Sequence, residues 1–263
     1  MNKEHQPIQA IFFDIDGTLY DHEAKQIPQK HMQMLHELKK KGIKICLCSG
    51  RAWPLLENLH IHDVIEWDGY VCGNGSYVYD KDRNVLFKHI LPKESVKQMF
   101  DLARAQGIGV LAAGNCMLYT KDTSAMRSLL KQVSLIGIEQ RDARESDEFC
   151  ILSLAVTDTQ TKRPEFEAIN DIQVLYNYLS VDLMRNDLSK YEGIKVLMDH
   201  FGFDHHAYAA FGDALNDLEM LENATLAGAM IDGDPRVLQK INNPVPSVKT
   251  GGIYTFLKEK GIL

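Results

Sequence analysis

The chain has 263 residues, 45% of them hydrophobic and 25% charged, ordinary globular values that exclude a disordered, collagen-like or low-complexity protein. Its 29 basic and 36 acidic side chains leave a net charge of -7, the opposite of the basic surface that nucleic-acid binders present. A local positive pocket for a small anion is still compatible with that balance.

Residues 10–13 are a short apolar run ending at Asp14, which predicts a buried strand feeding a loop. A helix is expected over 29–41, with Met32, Leu35 and Leu38 as its apolar stripe and Gly42 as its stop. Residues 43–48 read as a second buried strand. Strand, helix, strand is the βαβ pattern of a parallel sheet covered on both faces. In 70–79, Asn74-Gly75 lies between β-prone residues, a hairpin signal. From about residue 82 the texture changes. Extended stretches at 85–90, 108–111, 117–120, 149–156 and 172–184 (the last broken near 177–180) alternate with helical ones at 92–106, 123–132 and 163–170, and 141–148 is highly charged. Paired strands with helices between them predict an α+β module. The βαβ rhythm resumes at Ser189, where Ser189 and Glu192 form a capping box. Strands at 207–211 and 225–230 then alternate with helices at 216–221, 235–241 and beyond Gly251-Gly252. The expected architecture is an α/β, Rossmann-like parallel-sheet core of residues 1–81 and 186–263, with an inserted α+β domain at 82–185.

The five cysteines lack metal-ligand spacing, and Cys46-x-Cys48 falls inside a predicted strand, where packing is the better reading. Residues 1–7 carry no apolar leader, and no window approaches the ~18 apolar residues that span a membrane. The expectation is a cytoplasmic protein with reduced thiols and neither membrane nor nucleic-acid partners.

Four fragments at predicted strand or helix ends carry chemistry. Asp14-Ile15-Asp16-Gly17-Thr18 places two carboxylates after the first strand, at the edge where open α/β sheets build their sites. Like charges that close must be protonated, paired or bound to a cation. Ser49-Gly50-Arg51 offers a hydroxyl and accessible backbone N–H groups, a fit for phosphate oxygens at a helix start. Lys190 stands at a helix N-terminus, where the macrodipole disfavours a cation unless it faces an anion. Gly212-Asp213-Ala214-Leu215-Asn216-Asp217 adds two carboxylates and an amide, hard oxygen donors suited to Mg²⁺. Each fragment alone reads as a turn, a cap, a solvated lysine or an Asx-turn. Their succession, each at an element end, does not.

In that order the four fragments resemble the four motifs of the haloacid dehalogenase superfamily, most members of which are phosphohydrolases. The resemblance covers roughly residues 8–80 and 186–263. The large insert between the second and third motifs, the Asn74-Gly75-Ser76 turn and Gly251-Gly252-Ile253 are similar to the Cof-like branch with a type-two (IIB) cap. Two positions depart from the family pattern: Tyr191 stands where glycine is usual, and Ile231-Asp232-Gly233 where Gly-Asn-Ala is common.

The resemblance implies a phosphatase acting on small phosphorylated metabolites, sugar or cofactor phosphates, through an aspartyl-phosphate on Asp14. Asp16 would be the general acid and base. Mg²⁺ would sit on Asp14, the Asp16 backbone carbonyl, Asp213 and, through water, Asp217. Lys190, Ser49, Gly50 and Asn216 would hold phosphoryl oxygens. Arg51 pairs with a carboxylate or faces the substrate, and Asn115 is a candidate substrate contact in the insert. A sugar phosphomutase using the same intermediate, or a non-catalytic phospholigand sensor, are the rival readings, and the chain is expected to be a monomer or homodimer. Asp21-His22 and His205-His206 read as a solvated turn and a surface loop.

Overall fold

The computed structural model describes residues 7–132, 135, 137–177 and 180–263. Residues 1–6 and the centre of the break predicted near 177–180 lie outside them. The first segment runs β1 (Ala10–Phe13), α1 (Gln29–Lys40), β2 (Lys44–Cys48), α2 (Trp53–Asn58), β3 (Gly69–Cys72), β4 (Tyr77–Asp80) and β5 (Val85–Lys88). Next come α3 (Lys93–Ala105), β6 (Gly109–Gly114), β7 (Met117–Tyr119), α4 (Ser124–Gln132), β8 (Glu139–Gln140), β9 (Phe149–Ala155), α5 (Pro164–Glu167), β10 (Ile172–Tyr176) and β11 (Ser180–Arg185). The last segment holds α6 (Lys190–Phe201), β12 (Tyr208–Gly212), α7 (Leu218–Asn223), β13 (Leu226–Met230), α8 (Pro235–Ile241), β14 (Pro244–Val245) and α9 (Gly252–Glu259).

The chain divides into two compact units, one of residues 1–50, 62–88 and 189–263, the other of 51–61 and 89–188. The division at 88 and 189 differs from the 82 and 185 read in the sequence because β5 pairs with β4 and extends the first sheet. Residues 51–61 cluster with the second unit through α2.

The first unit is a mixed α/β layer structure around a sheet ordered β14-β13-β12-β1-β2-β3-β4-β5. Every pairing from β14 to β3 is parallel, and β4 and β5 run antiparallel at one edge. β1 is central, in register with β12 on one side and β2 on the other (Phe13 beside Phe211 and beside Leu47). Its four residues are all buried, as expected of a strand covered on both faces. Phe12 meets Tyr208 edge-on at 5.4 Å on one face, while Phe13 stacks on Phe211 at 5.8 Å on the other. Ile194, Leu197 and Met198 of α6 complete the core on the Phe12 face.

Helix α1 buries His31, Met34, Leu35 and Leu38. This corrects the predicted stripe: Met32 is only half-buried, and His31 takes a core position because both ring nitrogens find backbone partners. His31 Nδ1 lies 3.3 Å from Leu19 O, and Ile253 N–H donates to Nε2 at 3.3 Å.

The second unit is an α+β layer structure on a sheet ordered β10-β11-β9-β6-β7-β8 among the described residues. Phe149, Leu152, Leu154, Val181 and Leu183 form its core with Met99 of α3 and Phe166 of α5. The helix expected over 163–170 is a single turn. Cys46, Cys48, Cys72 and Cys150 are buried free thiols and Cys116 is half-buried and free. No helix among the described residues is long and apolar enough to cross a membrane.

Candidate active site

Topology brings the fragments together. Because β12, β1 and β2 are neighbours, the loops leaving their carboxyl ends carry residues 213–217, 14–18 and 49–50 side by side, as open α/β sheets do. Asp14 N–H still donates to Phe211 O at 2.9 Å, continuing the ladder into the loop. Gly17 then turns the chain at φ +80°, and a Cβ there would lie 2.8 Å from Asp213 Oδ2. Glycine is required both by the left-handed backbone and by this close approach.

Oxygen atoms of Asp14, Asp213 and Asp217 all lie within 4.8 Å of one another. Lys190 Nζ, with no solvent exposure, is 2.6 Å from Asp14 Oδ1 and 2.5 Å from Asp217 Oδ1. Helix α6 delivers the lysine at its first residue. Ser189 is the N-cap and its side chain accepts Glu192 N–H at 3.4 Å. Close backbone packing fixes that helix end, since a Cβ on Gly75 (φ +98°) would stand 2.2 Å from Ser189 O. Tyr191 turns to other company: its ring stacks with His206 at 6.3 Å and lies under Lys195 Nζ.

Asp217 is fully buried and heavily committed. Its Oδ2 accepts the N–H groups of Asp213 and Ala214, both at 2.9 Å, while Oδ1 holds the lysine. The 231–234 segment backs Asp213 from outside: Asp234 N–H donates to Asp213 O at 2.7 Å, and a Cβ on Gly233 would lie 2.4 Å from that oxygen. The departure at 231–233 thus retains the one small residue that this contact needs.

Three carboxylates to one ammonium leave the cluster short of positive charge. Burial pushes the Asp14 carboxyl well above the usual range, Lys190 pulls it back, and Asp217, Asp213 and Asp16 push it up again. Asp213 is pushed up to about 7, by burial first and then by Asp217, with Lys190 opposing. Burial alone would lower Lys190, but Asp14 and Asp217 overcome it and hold the ammonium protonated. Clustered hard oxygens, with burial and neighbouring carboxylates disfavouring the ionised forms of Asp14 and Asp213, fit Mg²⁺.

Ser49 is buried, its N–H donates to Val71 O at 2.8 Å, and its carbonyl accepts Asn74 N–H at 3.1 Å. Asn216 Nδ2 donates to Asn74 Oδ1 at 2.9 Å, and both amides lie within 3.5 Å of where a Gly50 Cβ would be. Asn74, at φ 54°, therefore ties the second and fourth fragments. The sequence marks it only as a turn residue, and its Asn-Gly dipeptide is the available signal. Thr18 Oγ1 is likewise 3.5 Å from Asp213 Oδ1. Asp16 lies outside the three-carboxylate cluster, 2.6 Å from His22 Nε2. The reading of Asp21-His22 as a solvated turn is corrected: Asp21 is 7% exposed and accepts Glu23 and Ala24 N–H groups.

Arg51 and Asn115 belong to the second unit. The Asn115 amide closes its own loop, donating to Ser146 O and accepting Glu148 N–H. A cavity of about 430 Å³ between α3 and residues 141–148 of that unit includes neither residue. His205 and His206 sit in a turn with separate partners, Asp199 and Asn223 O.

Residues 11–257 match the family model of haloacid dehalogenase-like hydrolases. The chain belongs to that family. A Bacillus subtilis (strain 168) relative named "Putative phosphatase YkrA" is 32% identical, over 97% of this chain and 98% of that one. The Escherichia coli (strain K12) 5-amino-6-(5-phospho-D-ribitylamino)uracil phosphatase YbjI is 27% identical over 85% of each chain. Among solved structures, that of the HAD subclass IIB sugar phosphatase BT4131 superposes with a TM-score of 0.83 at 24% identity, covering 97% of this chain and 100% of that one. The α/β fold of this haloacid dehalogenase-like hydrolase is thus that of its structural neighbours.

Proposed function

We propose that this hydrolase is a phosphatase of small phosphorylated metabolites, sugar or cofactor phosphates, that works through an aspartyl-phosphate on Asp14. The observation that carries the reading is the meeting of Asp14, Asp213, Asp217 and Lys190 at the carboxyl ends of the parallel strands of one sheet. A phosphate monoester is a dianion, and its spontaneous hydrolysis is among the slowest known. A negative nucleophile must reach it, and buried positive charge makes that approach possible.

An oxygen of Asp14 attacks phosphorus while the bond to the leaving oxygen breaks, dividing one difficult displacement into two. Asp16 gives that oxygen a proton, then takes one from the water that attacks the aspartyl-phosphate. Lys190, the Ser49 hydroxyl and the Gly50 N–H stabilise the phosphoryl oxygens as charge spreads over them. Asn216, braced by Asn74, orients the same loop. Asp14, Asp213 and the Asp16 carbonyl, with Asp217 acting through water, would hold Mg²⁺, which when bound supplies charge neutralisation and orientation of the phosphoryl group. The names of the relatives, a ribityl-phosphate phosphatase and a sugar phosphatase, support the substrate class.

The test is phosphate release from a panel of phosphorylated metabolites, with and without Mg²⁺. Asp14→Asn is expected to lower turnover at least about a thousandfold, roughly 4 kcal/mol of barrier, with the fold unchanged by circular dichroism. Near-normal turnover would remove Asp14 as nucleophile. Phosphate release without a bisphosphate activator separates hydrolysis from mutase chemistry.

A further inference from the structure

The loop between β1 and α1 holds a contact that the chemistry above leaves unused. His22 Nε2 lies 2.6 Å from Asp16 Oδ1, with side chains 49% and 37% exposed. An exposed pair of this kind ordinarily contributes only ~1 kcal/mol or less, because both side chains must give up rotamer freedom to make it. Here the loop that carries both residues is held closed by its own backbone. The N–H groups of Thr18, Leu19 and Tyr20 converge on Ile15 O, and Asp16 and Tyr20 form an isolated bridge. Asp21 and Gln26 exchange two backbone hydrogen bonds, at 3.0 and 3.2 Å, and the Asp21 side chain ties down Glu23 and Ala24. The Tyr20 ring meets His22 edge-on at 5.2 Å. The imidazole is therefore presented to Asp16 from a closed turn.

Geometry at Asp16 matters for its proposed task. A terminal carboxyl torsion is broad and nearly two-fold, so an unrestrained aspartic acid carries its proton on either oxygen and in many directions. With hydrogen on Nε2, the His22 ring donates to Oδ1, and the transferable proton is then the one carried on Oδ2. We propose that His22 is a positioning residue for proton transfer, pinning Oδ1 of Asp16 so that Oδ2 delivers the proton to the leaving oxygen. This rests on the reading of Asp16 as general acid. The proton passes from Asp16 Oδ2 to the leaving oxygen as the phosphorus–oxygen bond breaks and the bond to Asp14 forms. His22 neither gains nor loses a proton in the step.

Leaving-group dependence tests it. An alkyl phosphate needs its leaving oxygen protonated, whereas p-nitrophenyl phosphate expels a stable anion. His22→Ala is expected to lower kcat/KM for the alkyl ester at least about tenfold, a part of the roughly hundredfold or more that a general acid contributes, and to leave that for p-nitrophenyl phosphate within about twofold. His22→Gln, whose amide can donate to the same oxygen, is expected to recover much of the loss. Equal losses on both esters, or no loss on either, would overturn the inference. Asp16→Asn is measured alongside. If it discriminates between the esters and His22→Ala does not, only the positioning role fails. If Asp16→Asn does not discriminate either, the general-acid reading fails with it.

Discussion

Lys190 shows how one side chain can hold a site together and strain it at once. A lysine fully removed from water is costly, and two carboxylates at 2.6 and 2.5 Å make it tenable. Removing it leaves those carboxylates buried beside Asp213 without their cation. Lys190→Met is therefore expected to destabilise the protein by about 3–5 kcal/mol, the usual cost of breaking a buried pair from one side, and to abolish phosphate release. A second change, Asp217→Asn, should restore part of the melting temperature without restoring activity. An unchanged melting temperature in Lys190→Met would mean that the carboxylates are neutral in the folded protein. The sequence exposes Lys190 through its odd place at a helix N-terminus. It says nothing of the two partners, 176 and 27 residues away along the chain.

At the scale of elements, α1 is tied to the loop after β1 and to the start of α9 through a single buried imidazole. Burial lowers His31 from 6.5 to about 4, with the bond to Leu19 O opposing. The native ring stays neutral where the unfolded chain takes up a proton, so its contribution is intact above about pH 6.5. It is lost progressively as pH falls toward 4, a loss of about 3 kcal/mol in total on the linkage relation. Urea midpoints at pH 7 and pH 4.5 should differ less in His31→Gln than in the parent protein. An equal difference would show that other groups carry the acid sensitivity. Periodicity predicts this helix and its length, yet not its buried face in detail. A histidine scores as polar until a fold supplies acceptor and donor to its two nitrogens.

For the molecule as a whole, the carboxylate cluster joins segments that are otherwise far apart in the chain, so a bound cation should stabilise the native state. At a Mg²⁺ concentration 100 times Kd the gain is about 2.7 kcal/mol, read as a rise in melting temperature without any substrate. Asp213→Asn should remove most of that rise. The same rise in the variant would place the ion elsewhere. The two-unit organisation bears on how far such an effect extends, because the site's described carboxylates and lysine all belong to the first unit.

The sequence by itself determined the fold class, the succession of strands and helices in the α/β part, and the chemical character of the four fragments. Those features are local: apolar runs of four to six residues, a capping serine, and carboxylates at strand ends announce themselves within a short window. The tertiary structure decided what depends on pairing across long separations. It added β5 to the first sheet, assigned residues 51–61 to the second unit, buried His31, and set Asn74 against Asn216 and His22 against Asp16. Such contacts depend on which strands lie side by side and where each loop comes to rest. That is settled by the packing of the whole sheet and its helices, which no short stretch of residues encodes.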